Sequence, residues 1–204
     1  MNFLKIIMMS ASLLIVASCS SFKAERVDNK TSDEKALTIT DQWVQADSEK
    51  VIAEAMKDMS EHKGLRRYVM EHGKQLKMFV GEVQNLTSEA YFPISDINDE
   101  LLNEISKQGD YVLVDAESRG ALLKEITYQN DGMVDPKTAK KVGTQTGADL
   151  MIFGNVYMKP ESRDGKTIKQ YSINLRITDI SKGIEIFRTR TKLSKFSDQK
   201  KMGW

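Results

Sequence analysis

Apolar residues recur at helical spacing between positions 51 and 59, where Val51, Ile52, Ala55, Met56 and Met59 form one stripe. That periodicity predicts an amphipathic helix opened by Asp47-Ser48 and closed near Gly64, with a short second helix over 65–71 that stops at Gly73. From Gln75 to Val83 the pattern changes. Met78-Phe79-Val80-Gly81-Glu82-Val83 is too continuously apolar for a one-faced strand, so the segment belongs at the centre of a sheet. A loop over 85–92 follows. Ser95 or Asp96 should then cap a helix carrying Ile97, Leu101, Leu102 and Ile105, which Gly109 ends. Tyr111-Val112-Leu113-Val114 reads as a second buried strand.

Asp115 opens a helix with Leu122, Leu123 and Ile126. Asp135-Pro136 opens another that runs through Ala139 and Val142 to Gly147, with the proline at its first position. Leu150-Met151-Ile152-Phe153 starts a third strand reaching Met158. Asp164-Gly165 is a hairpin turn signal. Beyond it Tyr171, Ile173, Leu175 and Ile177 alternate with Ser172, Asn174, Arg176 and Thr178, the signature of a half-buried strand. Ser181-Lys182-Gly183 turns again into a last strand over 184–193. Its polar character suits a sheet edge. Helical crossovers early in the chain imply parallel pairing, and the later tight turns imply antiparallel pairing. The predicted fold is α/β, of α+β-like build: a single domain over 39–195 with a mixed four- to five-stranded sheet flanked by helices. Residues 196–204 are expected to fray.

The first 38 residues follow neither pattern. A lysine at position 5 precedes the apolar run 6–17, which is too short to span a bilayer and reads as a secretory signal over 1–18. Val16-Ala17-Ser18-Cys19 is similar to the bacterial lipobox. That likeness implies cleavage before Cys19, a diacylglyceryl group on its sulfur and an acyl chain on its new amine. Two or more chains anchor a protein stably. Residues 20–37 are polar and without apolar periodicity, so 19–38 is read as the lipidated cysteine and a flexible tether.

Charge narrows the function classes. The chain has 30 Lys+Arg against 29 Asp+Glu, and losing Lys5 with the signal balances them. Such balance gives no support to a nucleic-acid partner. With Cys19 as the only cysteine, no intramolecular disulfide forms, and a packed core must supply stability. His62 and His72 lack a third ligand at metal-motif spacing, and no cofactor is expected. Gly143-Thr144-Gln145-Thr146-Gly147 sits at a helix end rather than a helix start, unlike a phosphate loop. Asp99/Glu100 lie where the positive end of a helix dipole accounts for them. The expectation is a regulator or binding protein, not an enzyme.

Several segments occur together in a recognisable order. Trp43 precedes Asp47-Ser48, and Lys77-Met78-Phe79-Val80-Gly81-Glu82-Val83-Gln84-Asn85-Leu86-Thr87-Ser88-Glu89 follows. Next come Gln108-Gly109-Asp110-Tyr111-Val112-Leu113-Val114 and Gly147-Ala148-Asp149-Leu150-Met151-Ile152-Phe153-Gly154. Tyr171-Ser172-Ile173-Asn174-Leu175-Arg176-Ile177-Thr178-Asp179 closes the set. Over about 43–195 this resembles the LpoB family of outer-membrane lipoproteins that activate bifunctional penicillin-binding proteins. The resemblance implies a mixed sheet flanked by helices. It also implies a lipid-anchored, periplasm-facing protein of the outer membrane whose partner is a penicillin-binding protein, the bifunctional peptidoglycan synthase. Two features depart from the family's pattern: the tether is short and free of proline, and Phe187 stands where the family often has tryptophan. The alternative function is a structural or assembly lipoprotein of an envelope export apparatus.

A protein interface needs aromatic or arginine anchors inside a polar rim. The candidates are Tyr91 and Phe92 in the loop after the first strand, and Arg188 and Arg190 on the last strand. Packing over the sheet competes as a role for the aromatics, and a solvated edge that resists strand pairing competes for the arginines.

Overall fold

The structure is a computed structural model and describes residues 24–72, 75–114 and 147–199. In chain order its elements are α1 (Asn29–Ile39), α2 (Gln45–Glu61), α3 (Lys63–Glu71), β1 (Lys77–Asn85), α4 (Ile94–Gln108), β2 (Val112–Val114), β3 (Leu150–Arg163), β4 (Lys166–Asp179) and β5 (Ile184–Asp198). The strands form one mixed sheet in the order β2-β1-β3-β4-β5. β1 pairs in parallel with β2 and β3. β3, β4 and β5 pair antiparallel. This is the α+β architecture that the alternation of patterns predicts, with β1 between two neighbours as its continuous apolar run requires.

The core lies on one face of this sheet. Val51, Ile52, Ala55, Met56 and Met59 of α2 and Ile97, Leu101 and Ile105 of α4 bury their stripes against Met78, Ile152, Val156, Ile173, Leu175 and Ile177. Each such side chain other than Ala55 contributes roughly 1.5–3 kcal/mol when fully buried. Tyr171, Ile173, Leu175 and Ile177 all point inward, and Ser172, Asn174 and Arg176 take the opposite face. The β3–β4 hairpin turns where expected, with Asp164 at φ 51° and Gly165 at φ 80°. That paired left-handed conformation matches the twist of the flanking strands.

Six local expectations need correction. The polar stretch read as tether contains α1, started by Asp28, which accepts from Thr31 N at 3.0 Å and Thr31 Oγ1 at 2.8 Å. No α1 residue is buried, and Ile39 is 81% exposed, so packing begins at Trp43 rather than at Ile39. Helix α2 opens before Asp47, whose Oδ2 accepts from Val44 N at 2.9 Å from inside the first turn. Likewise α4 begins directly after Pro93, leaving Ser95 and Asp96 in its first turn instead of at its cap. β2 is an edge strand among the described residues, and Val112 is exposed. Finally, β5 continues to Asp198 where fraying was expected, because Lys195 is buried with its charge satisfied and Gln199 N donates to Gly165 O at 2.9 Å. The signal, Cys19, and the helices expected within 115–146 lie outside the described residues.

Candidate functional site

Loop 86–92 is pinned at both ends. Asn85 Oδ1 accepts from Thr87 N at 2.9 Å, and Asn85 Nδ2 donates to Glu89 O at 2.9 Å. Leu86 N donates to Val156 O at 2.9 Å. These short-range bonds are what Asn and Thr offer a turn. The Glu89 carboxylate then reaches the core face of β4. There it accepts from the Tyr171 hydroxyl at 3.0 Å and 3.1 Å and from Lys169 Nζ at 3.0 Å. Lys169 also pairs with Asp41 at 3.1 Å, and Asp41 accepts from Ser197 Oγ at 2.7 Å.

The electrostatics follow from this geometry. Burial pushes the Tyr171 phenol well above its ordinary value, and the Glu89 charge adds to the effect. Burial opposes the Lys169 charge, but its bonds to Glu89 and Asp41 outweigh that and hold the ammonium above its usual range. The Ser197 hydrogen bond, together with Lys169, holds Asp41 below the usual carboxylate range.

An aromatic cluster lies beside this polar one. Trp43 sits 5.0 Å from both Phe92 and Tyr171, and its Nε1 donates to Ser48 Oγ at 2.8 Å. Phe92 is therefore a core residue, 7% exposed, and packs as the competing reading for it proposed. Its neighbour Tyr91 is 99% exposed. The loop thus anchors one aromatic inward and presents the other to solvent.

Arg188 and Arg190 are elsewhere. They lie on the sheet face opposite the core, so the structure does not bring the four candidates together. Arg188 grips Glu185 bidentately, at 2.8 Å and 2.7 Å. Arg190 Nε donates to Asn174 Oδ1 at 2.6 Å, and Asn174 Nδ2 donates to Asn155 Oδ1 at 3.0 Å. Directly across from Arg188 is Arg176, whose guanidinium lies 4.2 Å from the Phe153 ring centroid.

Sequence reasoning missed Asp41, Glu89 and Lys169, because nothing local marks a charge that will be satisfied 80 or more residues away. It also missed an open cleft of about 580 Å³ beside α3, lined in part by Leu65, Arg66, Val69, Gln108 and Tyr111. Burial pushes the Tyr111 phenol up to about 12, helped by the Asp110 charge. His62 caps α3 by accepting from Leu65 N at 3.0 Å and stacks edge-on against Phe187 at 5.3 Å. Among the described residues no group of three or more His, Cys, Asp or Glu is placed to hold a metal ion. Nor is any helix among them long and apolar enough to cross a membrane.

The family model described as peptidoglycan-synthase activator LpoB matches residues 47–193. The chain belongs to the LpoB family. The matched segment runs from α2 into β5 and includes both the pinned loop and the arginine face. Asp41, Trp43 and Ser197 lie just outside it, so the polar and aromatic clusters around Tyr171 tie the family segment to the chain on either side. Similar solved structures include the LpoB C-terminal domain from Salmonella enterica, at 12% identity and a TM-score of 0.36, covering 72% of this chain and 94% of that one. The LpoB C-terminal domain from Escherichia coli matches at 12% identity and a TM-score of 0.34, covering 64% and 95%. Lipoprotein GNA1162 from Neisseria meningitidis matches at 15% identity and a TM-score of 0.36, covering 62% and 88%. No curated protein matches the chain by sequence.

Proposed function

We propose that this member of the family is a lipoprotein of the outer membrane, anchored through Cys19 and facing the periplasm. It docks on a bifunctional penicillin-binding protein and raises that synthase's activity. The observation that carries the docking is Tyr91, an aromatic side chain 99% exposed on a loop held by Glu89 and Phe92. A tyrosine has only two side-chain torsions to fix on binding and offers a large contact area, the properties of an interface anchor. Regulation needs no chemistry from this chain. It requires only tighter binding to the active synthase than to the inactive one, and a tenfold difference corresponds to about 1.4 kcal/mol.

Helix α1 bears on reach. Its 11 residues span about 16 Å as helix, against about 36 Å if extended. The connection to the anchor is therefore shorter than a fully extended tether, and the partner's ectodomain must come close to the outer membrane. The test is calorimetric binding of the full chain to the purified synthase of the same organism. The expected result is saturable binding that Tyr91→Ala weakens by roughly thirtyfold, the loss of a hot spot of about 2 kcal/mol. Absence of binding to every bifunctional synthase of that organism would refute the reading.

A further inference from the structure

The face of β4 and β5 turned away from the core concentrates positive charge that Glu185 balances only in part. Arg176 stands directly opposite Arg188, Asn174 opposite Arg190, and Ser172 opposite Lys192. Arg176, Arg188, Arg190 and Lys192 are all exposed. Like charges directly opposite one another on a sheet are destabilising, so the Arg176/Arg188 pair is a local cost of the fold. Glu185 bonds Arg188 and acts on Arg176 at longer range. Among the described residues no carboxylate forms an ion pair with Arg190 or Lys192. Yet the whole chain is nearly neutral, with 30 Lys+Arg against 29 Asp+Glu.

The remaining side chains on this face have a consistent character. Asn155 and Asn174 form an amide ladder with Arg190. Tyr157, opposite Ser172, is 47% exposed. Arginine anchors serve protein interfaces too, but there they sit in an apolar centre depleted in lysine, whereas here they stand among Asn155, Asn174, Ser172 and Lys192. Guanidinium groups bind carboxylates bidentately, amides and hydroxyls match sugar hydroxyls, and a tyrosine ring offers an apolar face to a pyranose.

We infer that the Arg176/Arg188/Arg190/Lys192 face binds a carboxylate-bearing glycan polymer, namely peptidoglycan itself. The choice of polymer rests on the proposed function, which places peptidoglycan within reach; the surface chemistry does not. The chain then has two separate docking surfaces on opposite sides of the sheet. The Tyr91 loop meets the synthase, and the arginine face meets the wall strand the synthase extends.

The test uses the full chain in detergent micelles and purified, insoluble peptidoglycan sacculi, with no synthase present. The chain should pellet with sacculi at low salt, and added salt should release it because the contacts are exposed charges. The Arg190→Glu/Lys192→Glu variant should pellet roughly tenfold less. Sacculi whose carboxylates have been amidated should fail to retain the chain. An Arg190→Gln/Lys192→Gln variant, checked by its thermal melt, separates lost charge from lost fold. Retention unchanged in both variants, or unchanged on amidated sacculi, overturns the inference. So does no pelleting above the sacculus-free control. If charge reversal abolishes synthase binding but leaves pelleting intact, the face belongs to an acidic protein surface and the inference also fails. Because no synthase enters the pelleting assay, its result is independent of whether Tyr91 docks on one.

Discussion

Lys195 near the end of β5 donates to Asp47 Oδ2 in the first turn of α2 at 2.6 Å, and to the Gln42 carbonyl at 2.6 Å. Lys195 and Asp47 are both buried, at 5% and 6% exposure. A buried pair of this kind is costly to break singly, because the survivor keeps its charge without its partner. Lys195→Met is therefore expected to destabilise the domain by about 3–5 kcal/mol. A double change of Lys195→Met with Asp47→Leu is expected to cost markedly less than the two single changes summed. Urea unfolding of the four proteins in a double-mutant cycle measures this coupling.

The two neighbouring aromatics of the loop should separate stability from binding. Phe92→Ala removes a ring packed on Trp43 and Tyr171 and should cost about 3–5 kcal/mol in thermal or urea unfolding. Tyr91→Ala, on a residue 99% exposed, should change stability by no more than about 0.5 kcal/mol. Comparable destabilisation by both would mean that Tyr91 is packed in solution.

Asp179 supplies a pH dependence. Hydrogen bonds from Ser181, then Tyr68 and the Lys182 amide, hold its carboxyl far below the usual range. A depressed folded value contributes stability that is fully present above the unfolded value of 3.8 and is lost as pH falls through the folded one. Unfolding midpoints should thus decline below about pH 4, and less steeply in Asp179→Asn. The same bond acts on Tyr68, pushed up to about 12 by burial first and Asp179 second. Ultraviolet titration should show the Tyr68 phenol ionising earlier in Asp179→Asn, yet still above 10, since burial remains.

Gly154 lies where β3 and β4 leave no room for a side chain. A Cβ there would fall 2.0 Å from the Asn174 carbonyl oxygen and 2.8 Å from Leu175 Cδ2. The first of these is backbone and cannot rotate away. Gly154→Ala should therefore destabilise by at least about 1–3 kcal/mol, the cost of overpacking, and disturb the neighbouring Asn155–Asn174–Arg190 ladder. Amide exchange along β4 would locate the disturbance.

The residues that announced themselves in the sequence are those whose environment is set by near neighbours. Alternation from Tyr171 to Ile177 gave the buried face of β4, and Asp164-Gly165 gave its hairpin. The largely apolar run at 78–83 gave β1 its place between two neighbouring strands. Helix starts were less legible: Asp47 works from inside α2, and α4 follows Pro93 before its expected caps. Helix α1 forms by local capping at Asp28 with no apolar stripe to betray it. Lys195 was invisible as a core residue because its partners, Asp47 and Gln42, lie some 150 positions earlier and its own surroundings are polar. For the same reason Phe92 and Tyr91 could not be distinguished. Adjacent aromatics look alike until Trp43 and Tyr171 are seen to enclose only one of them.

The most direct measurement is the rate of labelled lipid II polymerisation by the organism's purified bifunctional penicillin-binding protein, with the full chain, with its Tyr91→Ala variant, and alone. Acceleration by the full chain and its loss in Tyr91→Ala, with the variant's fold intact, is the predicted result. A rate unchanged by the full chain at saturating concentration, for every bifunctional synthase of that organism, would contradict the activator role.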